Sequence, residues 1–597
     1  MKKKNYLIKG MSLIMAGAMI MTGCGSSSDT AGYSGGSTSA LTSETAASDV
    51  AGDMNGWAGS NSAAADSGTY AYEDAEAEMD YGDLADGSES KSANSYADTV
   101  YNYDYDRETD YPNTEEYSQW EEQGFNTVLK APLSTFSADV DTASYSNLRR
   151  LINSGYRLDE LPQGAARIEE MINYFSYDYK EPKGMDPFGV TTQISTCPWN
   201  DGAKLLMIGL KTEDIDYSQA PPANLVFLLD VSGSMYSDDK LPLLQESFGL
   251  LAENLTKKDR VSIVTYAGDD RIVLDGVRGD ETKKIKQALD SLQAGGSTYG
   301  SKGIETAYKL AEENFIEGGN NRVILATDGD LNVGLTSEVE LEELISEKKE
   351  SGIFLSVLGF GSGNIKDNKM ETLADKGNGN YAFIDSLREA NKVLVEEMSA
   401  TLLTICKDVK FQVEFNPEVV ESYRLLGYEN RALAREDFND DTKDAGEIGA
   451  GHSVTALYEI ILSYPEGIYD MTESEINDLK YSEQYKKELG KQLGLTDTIK
   501  WEDAGPDVEW LTISIRYKKP AENKSNLLQY PVGNESYTNK PTDDFIFAAA
   551  VAEFGLLASH SEYPENASIK HVEKALKSIN LSDEYKEEFL ELVQTVK

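Results

Sequence analysis

The sequence predicts an α/β protein in which a doubly wound, mainly parallel β-sheet is inserted into a β-sandwich-like frame, with additional helices at both ends. Six short apolar segments between residues 224 and 404 alternate with amphipathic helical segments, which is typical of a parallel sheet. Segments with alternating polar and apolar residues precede this region at 190–212 and follow it at 407–517. Because every strand needs neighbours, we expect these two flanking sets to form one sandwich.

The individual elements follow from hydrophobic periodicity and from turn residues. In the central region the predicted strands are 224–230, 260–267, 271–277, 322–328, 354–361 and 381–385, and the predicted helices are 241–255, 281–292, 302–315, 338–351 and 388–405. In the flanks we predict helices at 138–155 and 166–175, strands at 190–196, 204–212, 407–416, 422–430, 453–462 and 509–517, a polar helical excursion at 466–505, and helices after 543.

Oxygen-bearing side chains stand where the apolar strands end. Asp230 ends the first strand of the central region, Ser232 and Ser234 follow it in DVSGSM, Asp328 ends RVILATD, and Thr298 lies in GGSTYG. In open α/β sheets, ligands bind beyond the carboxyl ends of the strands. Hard divalent cations prefer oxygen ligands, so these five residues are a candidate metal site. Taken singly, the DxSxS motif is also compatible with a turn and a helix cap.

The predicted ligand set contains only two carboxylates, which leaves the ion electrophilic and one position open for the carboxylate of a partner. Mg²⁺ is the expected ion, with Mn²⁺ and Ca²⁺ as alternatives. Asp330 is either an outer ligand or an exposed loop carboxylate. The three histidines, His452, His560 and His571, do not cluster with a cysteine, so we expect no zinc site.

The first residues predict export. Four lysines precede an apolar run at 11–21, which ends in MTGC at Cys24; this order is typical of an export signal. The ending resembles the lipobox of bacterial lipoproteins, which implies cleavage after residue 23 and acylation of Cys24. We therefore expect a protein that is lipid-anchored on the extracytoplasmic face of the cell membrane. An uncleaved membrane helix and a signal cut without lipidation are the alternatives.

Residues 24–120 are rich in Ser, Gly, Ala, Asp and Tyr, and we expect them to form a disordered acidic tether. The formal net charge of the whole chain is −48, which argues against a nucleic-acid partner, because phosphate binding needs basic patches. Beyond Cys24 the chain contains only Cys197 and Cys406. They form either a disulfide or two small buried apolar side chains.

The motifs DVSGSM, GGSTYG and TDGD, in this order within one alternating α/β unit, resemble the metal-ion-dependent adhesion site of von Willebrand factor type A (vWA) domains. The resemblance implies a Rossmann-like vWA domain at 216–405 in which the five candidate residues bind the metal. The chain also resembles a group of exported bacterial lipoproteins with flanking regions at 121–215 and 406–597, which bear RIEEMINYF and YRLLGYENR. Tyr299 departs from this pattern, because such proteins often have Asn there.

The leading functional hypothesis is a binding protein rather than an enzyme. It would bind a protein or envelope partner, without nucleic acid, through the metal-bound carboxylate of that partner. One alternative is a metal-dependent hydrolase of the cell envelope; it needs a base, and no histidine lies between residues 213 and 451. The other alternative is an envelope-assembly scaffold in which the metal only stabilises the loops.

Overall fold

The computed structural model describes residues 113–596 except 139–140, 216–219, 297–301, 330–337, 398–401, 444, 464–479, 485–486, 488–507 and 521. The predicted signal peptide, Cys24 and most of the predicted tether and of the 466–505 excursion lie outside the described residues. Within them, no helix combines the length and the apolar composition that crossing a membrane requires.

The described residues form the following strands and α-helices, given in chain order. The strands are β1 Asn126–Thr127, β2 Leu133–Ser137, β3 Phe188–Thr196, β4 Lys204–Thr212, β5 Ala223–Asp230, β6 Arg260–Tyr266, β7 Asp270–Arg278, β8 Asn320–Thr327, β9 Ile353–Phe360, β10 Tyr381–Ile384, β11 Thr404–Phe415, β12 Val420–Leu425, β13 Ile448–Gly449, β14 Ser453–Leu462, β15 Glu509–Lys518 and β16 Asn526–Gly533. The α-helices are α1 Ala143–Asn153, α2 Ile168–Asn173, α3 Leu241–Asn254, α4 Thr282–Asp290, α5 Gly303–Glu313, α6 Glu338–Glu350, α7 Asp367–Lys376, α8 Leu387–Asn391, α9 Asp543–Ala558, α10 Ile569–Leu576 and α11 Glu584–Thr595.

The central sheet has six strands in the order β10-β9-β8-β5-β6-β7. All neighbours are parallel except β7, which runs antiparallel to β6. Apolar side chains of α3 and α4 pack on one face of the sheet, and those of α5 and α7 pack on the other. Residues of β5 are buried along the whole strand, as expected for a strand covered on both faces. The predicted doubly wound fold class is confirmed.

The frame around this unit is a sandwich of two antiparallel sheets. β3 and β4 precede the central unit and pair with β14, which follows it, in the sheet β1-β12-β14-β4-β3. The facing sheet contains β13, β11, β15 and β16, with β2 added beside β11. Side chains such as Ile194 and Leu206 from one sheet share a core with Phe411 and Ile513 from the other. Strands from both sides of the central unit therefore build one frame.

The helices at the two ends of the chain form a further core. Tyr145 of α1 and Phe175, which follows α2, pack with Phe547 of α9 and Phe589 of α11. Cys197 lies in this core and Cys406 lies in the sandwich core. Both thiols are buried and free, so the interpretation as small buried side chains is correct and the disulfide alternative is wrong.

Two predicted boundaries are wrong. The predicted helix 388–405 extends too far, because Thr404 already begins β11; before it, α8 is followed by a π-helical segment to Glu396, and Leu402 is again helical. Here the apolar pattern is compatible with both a helix and a buried strand, and tertiary pairing decides. The predicted strand 422–430 ends at Leu425, because Gly427 and Tyr428 both have positive φ angles and turn the chain.

Asp141 lies two residues before α1. Asp141 is buried; it accepts a hydrogen bond from the Tyr381 backbone N–H at 2.8 Å and pairs with Arg431 at 3.0 Å. It therefore joins the N-terminal region to the central sheet and to the frame.

Three buried arginines of the flanking regions hold carboxylates of the central unit. They are Arg149 of α1, Arg167 before α2 and Arg431 after β12. Their ion-pair partners in the central unit are Asp385 and Glu389 for Arg149, Asp367 and Glu371 for Arg167, and Glu371 and Asp375 for Arg431. Arg149 in addition pairs with Glu588 of α11.

Replacing Arg149 by Met should strongly destabilise the fold, because Asp385 and Glu389 would stay buried without their cation. Removing one partner of a buried ion pair costs about 3–5 kcal/mol. The matched control is Arg157→Met, since the Arg157–Asp159 pair is 64% and 66% exposed and a pair of this kind contributes about 0–1 kcal/mol. Thermal and urea unfolding of the two variants would measure the difference, and equal losses would contradict the role assigned to Arg149.

Candidate metal centre

The candidate site lies at the carboxyl ends of the neighbouring strands β5 and β8. Asp230, the last residue of β5, is fully buried. Its Oδ1 accepts the Ser232 backbone N–H at 2.8 Å, and its Oδ2 accepts the Thr327 hydroxyl at 3.2 Å. Burial and, next, the neighbouring Asp328 carboxylate raise the pKa of Asp230 to about 6. The two hydrogen bonds therefore fix the Asp230 carboxylate in position, and a nearby positive charge would stabilise its ionised form.

The two predicted serine ligands stand beside each other. A 3₁₀ turn over Gly233–Tyr236 follows Ser232, and it brings the Ser232 and Ser234 Oγ atoms within 2.9 Å. The loop that leads to Thr298 is attached here, because Gly295 N–H donates to the Val231 carbonyl at 2.9 Å and Gly233 N–H donates to the Gly296 carbonyl at 3.2 Å.

Thr298 itself lies outside the described residues, as do Tyr299 and Asp330, so their predicted roles stay predictions. The structure does bring the other four predicted residues to one edge of the sheet.

Asp328 is the second buried carboxylate of the site. Its Oδ2 pairs with Lys240 Nζ at 2.9 Å, whereas its Oδ1 is buried without a hydrogen-bond partner among the described residues. The following Gly329 has a φ of +125°, and a Cβ there would lie 2.0 Å from the Asn364 carbonyl oxygen. Only glycine fits this turn, which therefore fixes where Asp328 ends the strand.

Sequence reasoning missed Lys240, the residue directly before α3. Its ammonium also donates to Asn364 Oδ1 at 3.2 Å. A signal was present in the sequence, because a lysine at the start of a predicted helix opposes the helix dipole. A nearby acid offsets this unfavourable interaction, and in the structure that acid is Asp328.

The donor set fits a hard divalent cation. Two carboxylates and two hydroxyls supply oxygen atoms only, and the unpartnered Asp328 Oδ1 is an acceptor for which burial without a partner is unfavourable. Over the part of the chain that the structure describes, no group of three or more His, Cys, Asp or Glu side chains is placed to hold a metal. A cation at this edge would therefore depend on the serine hydroxyls as well as on the two carboxylates.

Comparison with known proteins identifies the central unit. The family model of the von Willebrand factor type A domain matches residues 224–397. A model described as von Willebrand factor matches residues 111–207, and one for the C-terminal part of the uncharacterized protein YfbK matches residues 400–597. The fold and these matches define a vWA-domain protein, and this part of the sequence-based resemblance is confirmed.

Among individual relatives, YfbK of Escherichia coli (strain K12) is 40% identical over 492 residues, which cover 81% of each chain. The chain belongs to the family of vWA-domain proteins that includes YfbK. Inter-alpha-trypsin inhibitor heavy chain H3 of Bos taurus is 24% identical over 370 residues, covering 57% of this chain and 40% of that protein. The solved structure of von Willebrand factor type A from Catenulispora acidiphila is 12% identical, with a TM-score of 0.38, and covers 70% of this chain and 91% of that chain.

If the predicted ligands bind a cation, Asp230→Ala should abolish Mn²⁺ binding, since it removes one of the two buried carboxylates of the site. Asp290→Ala is the control, because this carboxylate is exposed at the end of α4. Calorimetric titration with MnCl₂ and the melting temperature with and without EDTA would report binding. Mn²⁺ binding to Asp230→Ala at the affinity of the unmodified protein would contradict the site.

Proposed function

We propose that this protein is displayed on the cell surface and binds a protein or envelope partner through a divalent cation, for which Mg²⁺ is the expected ion. The observation that carries the proposal is the composition of the site at the ends of β5 and β8. Two buried carboxylates and two hydroxyls contribute to it, and this small set of protein ligands leaves coordination positions of a bound cation open for an external ligand. An acidic side chain of a partner matches that requirement.

The surface beside the site supports a docking role. Tyr236 lies in the 3₁₀ turn two residues after Ser234, and it is 82% exposed. Exposed aromatic side chains are frequent anchors in protein–protein interfaces. The membership of the vWA class points in the same direction, because vWA domains typically mediate protein interactions and commonly bind a divalent metal.

The predicted leader places this binding face outside the cytoplasm. Acylation of Cys24 would anchor the chain on the extracytoplasmic face of the membrane, and the acidic segment after it would act as a tether. The net charge of −48 favours partners other than nucleic acid.

Cross-linking capture from native envelopes would test this function. We expect one set of partners that is lost with EDTA and lost with Asp230→Ala. Tyr236→Ser should weaken capture severalfold while leaving Mn²⁺ binding unchanged, because it removes a surface contact and no ligand. Capture that persists in EDTA and in the Asp230→Ala variant would refute a metal-dependent partner. Metal-dependent turnover of an envelope substrate without capture would favour the hydrolase, and a loss of thermal stability alone would favour the scaffold.

A further inference from the structure

Lys240 is held in a buried position beside the predicted metal ligands. Its side chain is only 9% exposed, and its Nζ lies 2.9 Å from Asp328 Oδ2. The methylene stem runs over Gly361, where a Cβ would lie 2.4 Å from both Cγ and Cε of Lys240. Gly361, with a φ of +76°, leaves the room for this stem. The direction of the ammonium is therefore set by the fold and not by a flexible surface contact.

Without a metal, the two carboxylates and Lys240 leave one uncompensated negative charge at this edge. Asp230 and Asp328 are two adjacent buried carboxylates, and two like charges at such a site repel each other. Lys240 supplies one positive charge in direct contact with one of them. A divalent cation that binds the same carboxylates would approach an existing positive charge, which opposes its binding.

The charge count changes when a cation enters. Two carboxylates and a divalent ion alone would sum to zero, so the loaded site would need no further anion. With the Lys240 ammonium included, the loaded site carries one excess positive charge. A carboxylate from outside restores neutrality in a place where a net charge is poorly solvated.

We propose that Lys240 is a specificity-determining residue that makes cation binding depend on an acidic ligand. It balances Asp328 in the metal-free protein, weakens the binding of a cation alone, and makes binding of the cation and of a carboxylate cooperative. This inference rests on the proposed metal site and deepens it, because it gives a physical reason for a carboxylate-bearing partner.

The experiment uses calorimetric titration of the full chain with MnCl₂, in sodium acetate or in sodium chloride of equal ionic strength. For the unmodified protein, acetate should tighten Mn²⁺ binding by about fivefold or more, within the usual range of coupling between two ligands. Lys240→Met should bind Mn²⁺ about tenfold tighter in chloride, because a nearby positive charge is gone, and acetate should add little.

Thermal unfolding separates this role from a purely structural one. In EDTA, Lys240→Met should melt below the unmodified protein, because Asp328 then lacks its counterion. Saturating Mn²⁺ should remove most of that difference. A merely structural lysine would lower the melting temperature equally in both conditions and leave the Mn²⁺ affinity unchanged.

Two further variants complete the design. Lys240→Gln removes the charge but keeps a hydrogen-bond donor, so it replaces Lys240→Met if that variant does not fold. Lys257→Met is the matched charge control, because Lys257 is exposed before the amino end of β6, at the opposite edge of the sheet. It should leave both the Mn²⁺ affinity and the acetate effect unchanged.

Unchanged or weaker Mn²⁺ binding by the neutral variants would overturn the proposal for Lys240, as would an equal acetate effect in all proteins. An absence of Mn²⁺ binding in the unmodified protein and in both neutral variants, in acetate as well as in chloride, would instead overturn the metal site itself. The two failures are therefore distinguishable.

Discussion

The structure depends on pairing buried carboxylates with cations that reach them from another part of the chain. This constraint is severe in a protein with 103 acidic and 55 basic side chains, because an unpaired buried charge is strongly destabilising. At the border of the vWA domain, the buried carboxylates are paired with three arginines, Arg149, Arg167 and Arg431. Each guanidinium presents several fixed donors, so a single arginine can hold carboxylates on two elements at once.

These arginine–carboxylate ion pairs lie together at one side of the central sheet. α1 packs on β10, and the carboxylates that receive the arginines lie in α7 and around the start of α8. The insertion is therefore attached to its frame by specific polar contacts in addition to the chain connections. Buried polar contacts of this kind favour a single arrangement, because a shifted domain would leave several charges without partners.

The N-terminal segment reaches the metal edge from the same side. Residues 113–116, at the end of the predicted tether, lie along the loop after β9, where Thr114 N–H donates to the Gly363 carbonyl and Glu116 N–H donates to the Ile365 carbonyl, both at 2.8 Å. Asn364, which lies between Gly363 and Ile365, accepts a hydrogen bond from Lys240. The segment that enters the folded part of the protein is thus connected to Asp328 through the loop after β9 and Lys240.

Much of this architecture could be predicted from the sequence, because it follows from patterns that are local. The apolar run before Asp230 and the Gly/Ser turn after it specify a buried strand and a ligand-bearing loop. The sandwich could be predicted because an isolated pair of strands, such as the pair at 190–212, is only marginally stable, and the strands at 407–517 offer it further partners. By contrast, β2 has a weaker pattern and pairs with β11, which is distant in the chain, and the start of β11 lies in an apolar stretch that is also compatible with a helix.

Lys240 shows a different limit of sequence reasoning. Its identity as a helix-start lysine is visible in the sequence, but its partner Asp328 is 88 residues away and is reached only because β5 and β8 are adjacent. The ligand motifs identify the oxygen atoms that attract a cation. The positively charged groups that weaken cation binding are identified only from the folded structure. The electrostatic balance of this edge, and hence its preference among ligands, is therefore a property of the tertiary structure that the DVSGSM and TDGD motifs alone do not contain.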